Sequence, residues 1–238
     1  VLFPDMSMSL VEGMYRGNRM VDHFNTKLAA AAAGAQGHMQ TNASFRILEF
    51  GSGTGGTSQA VLPKLLPGVS YDYTDISSGF LLHGKKQFKS AYPFVNFKLL
   101  DLENPPDPTL YPAASYDLAF GSNVIHATCN LSKSLAHVAN LIRPGGLLML
   151  YEMVANHEFV TITFGLLPGW WLSQDPRLPH GPLLDPKTWR MRLSESGFDR
   201  VEIFGQPEAK TETQVTHALI IARKGDPSAT ESDVPKAQ

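Results

Sequence analysis

Phe45-Arg46-Ile47-Leu48-Glu49-Phe50-Gly51-Ser52-Gly53-Thr54-Gly55-Gly56 is the stretch from which the fold of this chain can be read. A short apolar run ends in an acid and then breaks into glycines at 51, 53, 55 and 56. Glycine is needed where a chain turns sharply and a ligand must approach the backbone, because a Cβ would clash or forbid positive φ. A strand entering such a turn and a helix leaving it place the turn at the carboxyl edge of an open parallel sheet, where ligands bind.

Downstream, apolar runs alternate with helical spacing. Strands are predicted at 45–50, 69–76, 94–101, 116–125, 147–153, 200–205 and 215–223, with helices at 57–66, 78–91, 131–142 and 186–196. Runs apolar on both faces and separated by helices indicate a parallel sheet covered on both sides. Only a short polar turn separates the last two strands, so one of them should be antiparallel. The expected architecture is α/β, doubly wound and Rossmann-like, with residues 45–224 as its core. Upstream, Ser9 and Glu12 have the spacing of a helix-capping pair, and Leu10, Met14, Val21, Phe24 and Leu28 follow at roughly helical spacing. Gly17 and Asn18 interrupt that stripe, and Gly34 and Gly37 should end the helix, so 34–44 reads as a linker. Residues 1–44 thus form a helical segment with its linker. The tail 225–238 has linker composition and is expected to lead into another domain.

Composition narrows the function. With 238 residues, 43% of them hydrophobic and 18% charged, the chain can bury a substantial core and is neither disordered nor fibrous. A formal charge of -2, from 20 Lys+Arg and 22 Asp+Glu, makes nucleic acid an unpromising partner. No stretch approaches the roughly 18 apolar residues of a membrane span. The single cysteine, Cys129, permits no internal disulfide and no CxxC metal knuckle, so a cytoplasmic setting is expected and no metal is predicted. The chain opens Val1-Leu2-Phe3-Pro4, with neither Met nor a secretion leader, and reads as a piece of a longer polypeptide.

The glycine loop alone fits two cofactors. Gly51, Gly53 and Gly56 satisfy the dinucleotide pattern GxGxxG, whereas Glu49, Gly51, Gly53 and Gly55 satisfy the ExGxGxG pattern of S-adenosylmethionine (SAM) enzymes. Asp75, ending the second strand, suits ribose hydroxyls in either case. Asp101, placed at the end of the third strand, suits an adenine amino group. Glu49 beneath the turn favours an ammonium over an anionic pyrophosphate, which tips the choice to SAM. A nicotinamide reductase is further disfavoured because no Tyr-x-x-x-Lys pair is present.

Asn123-Val124-Ile125-His126-Ala127-Thr128 adds a more specific pattern. With ILEFGSGTGGTSQAVLPKLLP, YDYTDISSGF, KLLDLE, SYDLAFGSNVIHAT, LIRPGGLLMLYEM, FGLLPGWWL and GPLLDPKTW, between Phe45 and about Gly205, the chain closely resembles the C-methyltransferase domains of polyketide synthases. The leading segment, with Leu2-Phe3-Pro4 and Met14-Tyr15-Arg16-Gly17-Asn18, also resembles what precedes that domain. All the loop glycines are kept, while Phe50 and Ser52 depart mildly from the usual pattern. The segment before Tyr15 is short, so an N-terminal helical subdomain seen in such domains is expected to be truncated. The resemblance implies a class I SAM fold of seven strands with the last antiparallel. It also implies methylation of the α-carbon of a β-ketoacyl chain on the phosphopantetheine of an acyl carrier protein, alongside other domains of the same synthase. SAM, leaving as S-adenosylhomocysteine, would be held by Glu49, Gly51, Ser52, Gly53, Gly55, Asp75, Ile76, Asp101, Leu102 and Asn123.

A carbon between a ketone and a thioester is acidic but not ionised at neutral pH, so its methylation needs a base and a group to stabilise the enolate. His126, just past the fourth strand, suits the base, and Glu152, near the end of the neighbouring fifth strand, suits its orienting carboxylate. The family's catalytic His and Glu map onto these two positions. The resemblance places Tyr15 near the substrate, where its hydroxyl could donate to the enolate oxygen; Asn123 could do the same or fix the loop beneath SAM. Phe164, Trp170 and Trp171, in a Gly/Pro-broken apolar stretch, read either as a roof over the acyl chain and pantetheine arm or as ordinary core. Arg177 and His180 are expected at the entrance, and Cys129 is structural. The alternatives are a SAM-dependent O- or N-methyltransferase of a free small molecule, and an inactive methyltransferase-like module.

Overall fold

The computed structural model describes residues 17–39 and 44–226. Its elements run α1 (Arg19–Met39), β1 (Phe45–Glu49), α2 (Gly56–Val61), β2 (Val69–Asp75), α3 (Ser78–Phe88), β3 (Val95–Leu99), β4 (Tyr116–Ser122), α4 (Leu131–Leu141), β5 (Ile142–Met153), α5 (Glu158–Phe164), α6 (Pro186–Glu195), β6 (Phe198–Gly205) and β7 (His217–Lys224). One sheet collects all seven strands in the order β3-β2-β1-β4-β5-β7-β6. The pairs from β3 through β5 are parallel, and β7 runs antiparallel to both β5 and β6. The closing hairpin expected from the short connection is therefore present.

Successive residues of β1 serve opposite faces. Phe45 and Ile47 pack with Phe24 and Leu28 of α1, Val61 of α2 and Phe88 of α3. Leu48 packs with Leu135 and Val138 of α4 and Trp189 and Leu193 of α6. Every β1 residue but Arg46 is buried, so the strand has no solvent face to encode. Side-chain caps define two of the covering helices: Asn130 accepts from the Lys133 amide at α4, and Asp185 from the Thr188 amide at α6. Each such cap contributes about 1 kcal/mol.

Several boundaries differ from the sequence reading. The first helix does not stop at Gly34 but continues through Gly37 to Met39. Two glycines cost a helix about 1 kcal/mol each; tertiary contacts offset that here. Ala32, Ala35 and Gln36 are buried, and the Gln36 amide both donates to the Leu66 carbonyl and accepts from the Leu66 N–H, each at 2.8 Å. The third strand ends at Leu99, so Asp101 lies in the following turn. The fifth begins at Ile142 rather than 147, because a register shift lets Arg143-Pro144-Gly145-Gly146 enter the ladder, with Gly145 at φ 74°. A short helix, α5, was not anticipated; none of its residues is buried. The capping pair at Ser9 and Glu12, with Leu10, Met14 and Tyr15, lies outside the described residues, as does the tail from 227 onward.

The strand order reverses between β1 and β4. That switch opens a crevice at the carboxyl edge of the sheet, the position where open α/β sheets bind ligands. The glycine loop after β1 and the Asn123–Thr128 segment after β4 are its two walls.

Candidate active site

The first wall is made of backbone. Gly51, Gly53 and Gly55 have φ of 59°, 52° and 79°, a region only glycine occupies cheaply. The loop is stitched to β2: the Ser52 N–H and Oγ both donate to the Thr74 carbonyl, and the Tyr73 hydroxyl donates to the Gly53 carbonyl. Asp75 closes the turn, its carboxylate accepting from the Gly53 N–H at 2.9 Å and from the Ser77 N–H at 2.8 Å. Burial pushes Asp75 above its ordinary range, and the amides of Ser77, Gly53 and Ile76 oppose that push. A Cβ on Gly51 would lie 2.4 Å from the Val124 side chain, whereas one on Gly53 would meet nothing nearer than 3.9 Å. Gly51 is thus needed where the two walls touch, whereas a Cβ on Gly53 would make only an ordinary contact with the Gly51 carbonyl.

Glu49 lies beneath this loop, buried, with one carboxylate oxygen accepting from both the Ser58 and Tyr71 hydroxyls at 2.7 Å. Burial pushes it up to about 7; the two hydrogen bonds pull it back in part, and Asp75 adds to the rise. Ile76 is 68% exposed at the crevice edge. The Asp101 carboxylate accepts from the Glu103 N–H and the Asn104 side-chain amide, while neighbouring Leu102 is buried.

The second wall carries the ionisable groups. Register Ser122↔Tyr151 aligns the ends of β4 and β5, bringing the next residues alongside each other. Asn123 takes φ 55°, which Asn tolerates better than most residues. Its Oδ1 accepts from the Met153 N–H, and its own N–H donates to the Tyr151 carbonyl. The chain then makes a tight 3₁₀ turn over Ile125–Ala127. On that turn the His126 Nδ1 lies 2.5 Å from the Glu152 Oε2, with His126 7% exposed and Glu152 fully buried. With Nδ1–H donated to the carboxylate, Nε2 is the nitrogen left to accept a proton.

Of the apolar stretch, Trp170 is buried and stacks on Phe164 at 6.0 Å. Trp171 is 56% exposed and donates its indole N–H to the Gly165 carbonyl. Trp170 therefore packs as core, whereas Trp171 presents its ring to solvent. Arg177 is not at an entrance: its side chain is only 3% exposed. Tyr15 lies outside the described residues. Among the described residues no group of three or more His, Cys, Asp and Glu could hold a metal, and no helix is long and apolar enough to cross a membrane.

Sequence reasoning missed a polar cluster that ties the walls together. The Thr57 hydroxyl lies 2.9 Å from Asn25 Oδ1 and 2.8 Å from Ser122 Oγ, joining α1, α2 and the end of β4. Ser122 sits inside the motif that drew attention to Asn123; nothing marked Asn25. The Asp175–Arg177 ion pair, its side chains 13% and 3% exposed, was missed likewise.

A family model described as a methyltransferase domain matches residues 48–148, so sheet, crevice and glycine loop together define the class. Polyketide synthase PksM of Bacillus subtilis (strain 168) is 41% identical over 210 residues, which is 84% of this chain and 5% of PksM. The crystal structure of the CurJ carbon methyltransferase superposes with a TM-score of 0.87 at 32% identity, over 94% of this chain and 60% of that one. CalH, a trans-methyltransferase solved with S-adenosylhomocysteine, gives 0.71 at 31% identity over 89% of this chain and 61% of its own. The chain belongs to the SAM-dependent methyltransferases, in the group formed by the carbon-methyltransferase domains of polyketide synthases.

The residues at this edge fit that cofactor: Gly53, at positive φ, carries no side chain over the loop, Ile76 is exposed, and Asp75 and Asp101 lie at and just beyond the carboxyl ends of β2 and β3.

Proposed function

We propose that this chain methylates the α-carbon of a β-ketoacyl chain carried on the phosphopantetheine of an acyl carrier protein, as one domain of a polyketide synthase. The observation that carries the reading is the buried His126–Glu152 pair on the crevice wall facing the glycine loop. A methyltransferase acting on an already nucleophilic oxygen or nitrogen has less need of a base backed by a carboxylate. A carbon acid requires one.

In this scheme Asp75 and Asp101 hold the ribose and adenine, Ile76 and Leu102 border the base, and Gly51, Ser52, Gly53 and Gly55 give the amino-acid end access to the backbone. Glu49 acts on the ammonium as a charge beneath the loop, because its carboxylate is hydrogen-bonded there to Ser58 and Tyr71. SAM, when bound, would supply an electrophilic methyl from its sulfonium, the C–S pair staying on sulfur as S-adenosylhomocysteine leaves. His126 Nε2 takes the α-proton, and the C–H electron pair passes into the enolate, then into the new C–C bond. Glu152 holds the imidazole in the tautomer that leaves Nε2 basic and stabilises the imidazolium formed. Tyr15 would donate its hydroxyl to the enolate oxygen. Asn123 spends its Oδ1 on Met153, so any donation to that oxygen would come from its Nδ2. Phe164, Trp170 and Trp171 shelter the acyl chain and pantetheine, and the reacting atoms must approach to about 3–3.5 Å with water excluded.

The test is mass spectrometry of a β-ketoacyl-pantetheine thioester incubated with the chain and SAM, with fragmentation to place the methyl. Methylation at the α-carbon, lost in His126→Gln while S-adenosylhomocysteine still binds, is the expected result. Methylation on oxygen, or wild-type turnover by the variant, would overturn the reading.

A further inference from the structure

The turn after β3 is hydrogen-bonded to the turn after β4, a connection that the methyl-transfer scheme does not use. In the sheet these two strands are separated by β2 and β1, three strand spacings or about 14 Å. The segments that follow them nevertheless meet at two points. The Glu103 Oε1 accepts from the Cys129 N–H at 2.7 Å, and the Leu102 carbonyl accepts from Nδ1 of His137 on α4 at 2.8 Å. Leu102 also packs in one apolar cluster with Ile125, Leu131 and Leu135.

Each contact has a local cause. Asp101 accepts from the Glu103 N–H at 2.9 Å and from the Asn104 side-chain amide at 2.7 Å, which folds the turn that carries Glu103. Cys129 stands between the 3₁₀ turn Ile125–Ala127 and Asn130, the N-cap of α4. A carboxylate is favoured there, because the start of a helix carries partial positive charge. From the loop before α6, Asp175 accepts from the Leu131 N–H at 2.7 Å, and the Gln174 N–H donates to the Cys129 carbonyl at 2.8 Å. Two loops therefore grip the exit of the turn that carries His126.

Resting on the cofactor role of Asp101 and the base role of His126, we propose that Glu103 is a positioning residue for that base. It fastens the adenine-side turn to the exit of the 3₁₀ turn, so that the segment assigned to the adenine also fixes where His126 Nε2 stands. The entry of the 3₁₀ turn is pinned by Asn123, bonded to Tyr151 and Met153, and its imidazole by Glu152. Its exit, three residues after His126, is what Glu103 holds through the backbone of Cys129. A shift there tilts the ring, and transfer between groups held for reaction falls steeply with misplacement. His137 supports the same tie from α4.

The experiment is the single-turnover rate of methyl transfer to a β-ketoacyl-pantetheine thioester at saturating SAM. Calorimetric affinity for S-adenosylhomocysteine and the thermal unfolding temperature are measured alongside. Glu103→Ala should lower the rate about fivefold while the affinity changes less than about twofold and unfolding stays close to wild type. Glu103→Gln keeps an oxygen that accepts from Cys129 and should recover most of the rate. His137→Phe removes the second tie and should lower the rate in the same direction by a smaller factor. A loss of affinity with an unchanged rate would show that Glu103 only holds the adenine-side turn. A lower unfolding temperature with rate and affinity unchanged would show a merely structural role. Either result overturns the proposal, and so does a Glu103→Gln as impaired as Glu103→Ala. If Glu103→Ala fails to fold, His137→Phe decides alone, and an unchanged rate there overturns the proposal. His126→Gln separates the two layers of argument. Wild-type turnover in that variant removes the base itself, whereas an inactive His126→Gln with an unchanged rate in Glu103→Ala removes only the role of Glu103.

Discussion

On the glycine-loop side of the crevice, polar groups are paired within the fold: Ser52 with Thr74, Gly53 with Asp75 and Tyr73, and Glu49 with Ser58 and Tyr71. On the β4–β5 side, Glu152 Oε1, two nitrogens of Arg177 and the Trp170 indole N–H are buried without hydrogen-bond partners. Leaving such groups unmade costs stability, about 1–3 kcal/mol each. The first wall is a mould whose shape lies in backbone dihedrals. The second carries the ionisable groups of the proposed chemistry, and some of its polar atoms are left unpaired. Binding and reactivity should therefore fail separately.

The largest expected effect is on the second wall. His126→Gln and Glu152→Gln should each lower methyl transfer by about 10²–10⁴-fold. Calorimetric titration with S-adenosylhomocysteine should give wild-type affinity for both; an equal loss of affinity would break the division. Next comes the mould. Gly51→Ala forces a Cβ onto Val124 at positive φ, and should cost about 2–3 kcal/mol in thermal or denaturant unfolding, with a loss of S-adenosylhomocysteine affinity. Gly53→Ala carries only the dihedral cost, about 1 kcal/mol, and its effect should fall mainly on ligand affinity. Similar unfolding losses in both variants would show that the contact between the walls carries no weight.

Glu49 sharpens the comparison through pH. Its carboxyl is raised to about 7 in the folded chain, so folding favours the protonated form. This stabilisation is full below the unfolded value near 4.5 and is lost as pH rises through about 7, amounting to at most about 3 kcal/mol. A ligand ammonium placed near Glu49 reverses the preference. Affinity for S-adenosylhomocysteine should rise about tenfold between pH 6 and 8, and Glu49→Gln should flatten both dependences. A pH-independent affinity in the wild-type chain would separate Glu49 from the ligand. The smallest effect should come from Trp171→Ala. The ring is largely exposed, so unfolding should change by less than about 1 kcal/mol while KM for a long acyl thioester rises a few-fold.

Some of this was legible before any coordinates. The strand–glycine–helix succession at 45–56, the Asp that ends β2 and the hairpin at the end are local signals, set by periodicity and by what glycine permits. Other features were hidden because their causes are distant in the chain. The helix running through Gly34 and Gly37 is held by buried alanines and by Gln36 clamped to Leu66. Ile142 joins β5 through pairing with Tyr116, and Asp101 falls beyond β3 because the ladder with β2 ends at Leu99. At the site, His126 and Glu152 could be paired on paper because neighbouring strand ends meet. Arg177 carried no motif and was expected at the entrance, whereas its side chain is only 3% exposed.

By itself the sequence determined the order of elements, the location of the glycine loop and the residue types available at each strand end, because these depend on the backbone over a few residues at a time. Only tertiary structure decided which charges share a desolvated space. The close approach of Val124 to Gly51, the bond between His126 and Glu152, and the hydrogen bond from Arg177 to the Thr128 carbonyl each join segments far apart in the chain. The energy of such groups depends on what surrounds them and on how much water is excluded.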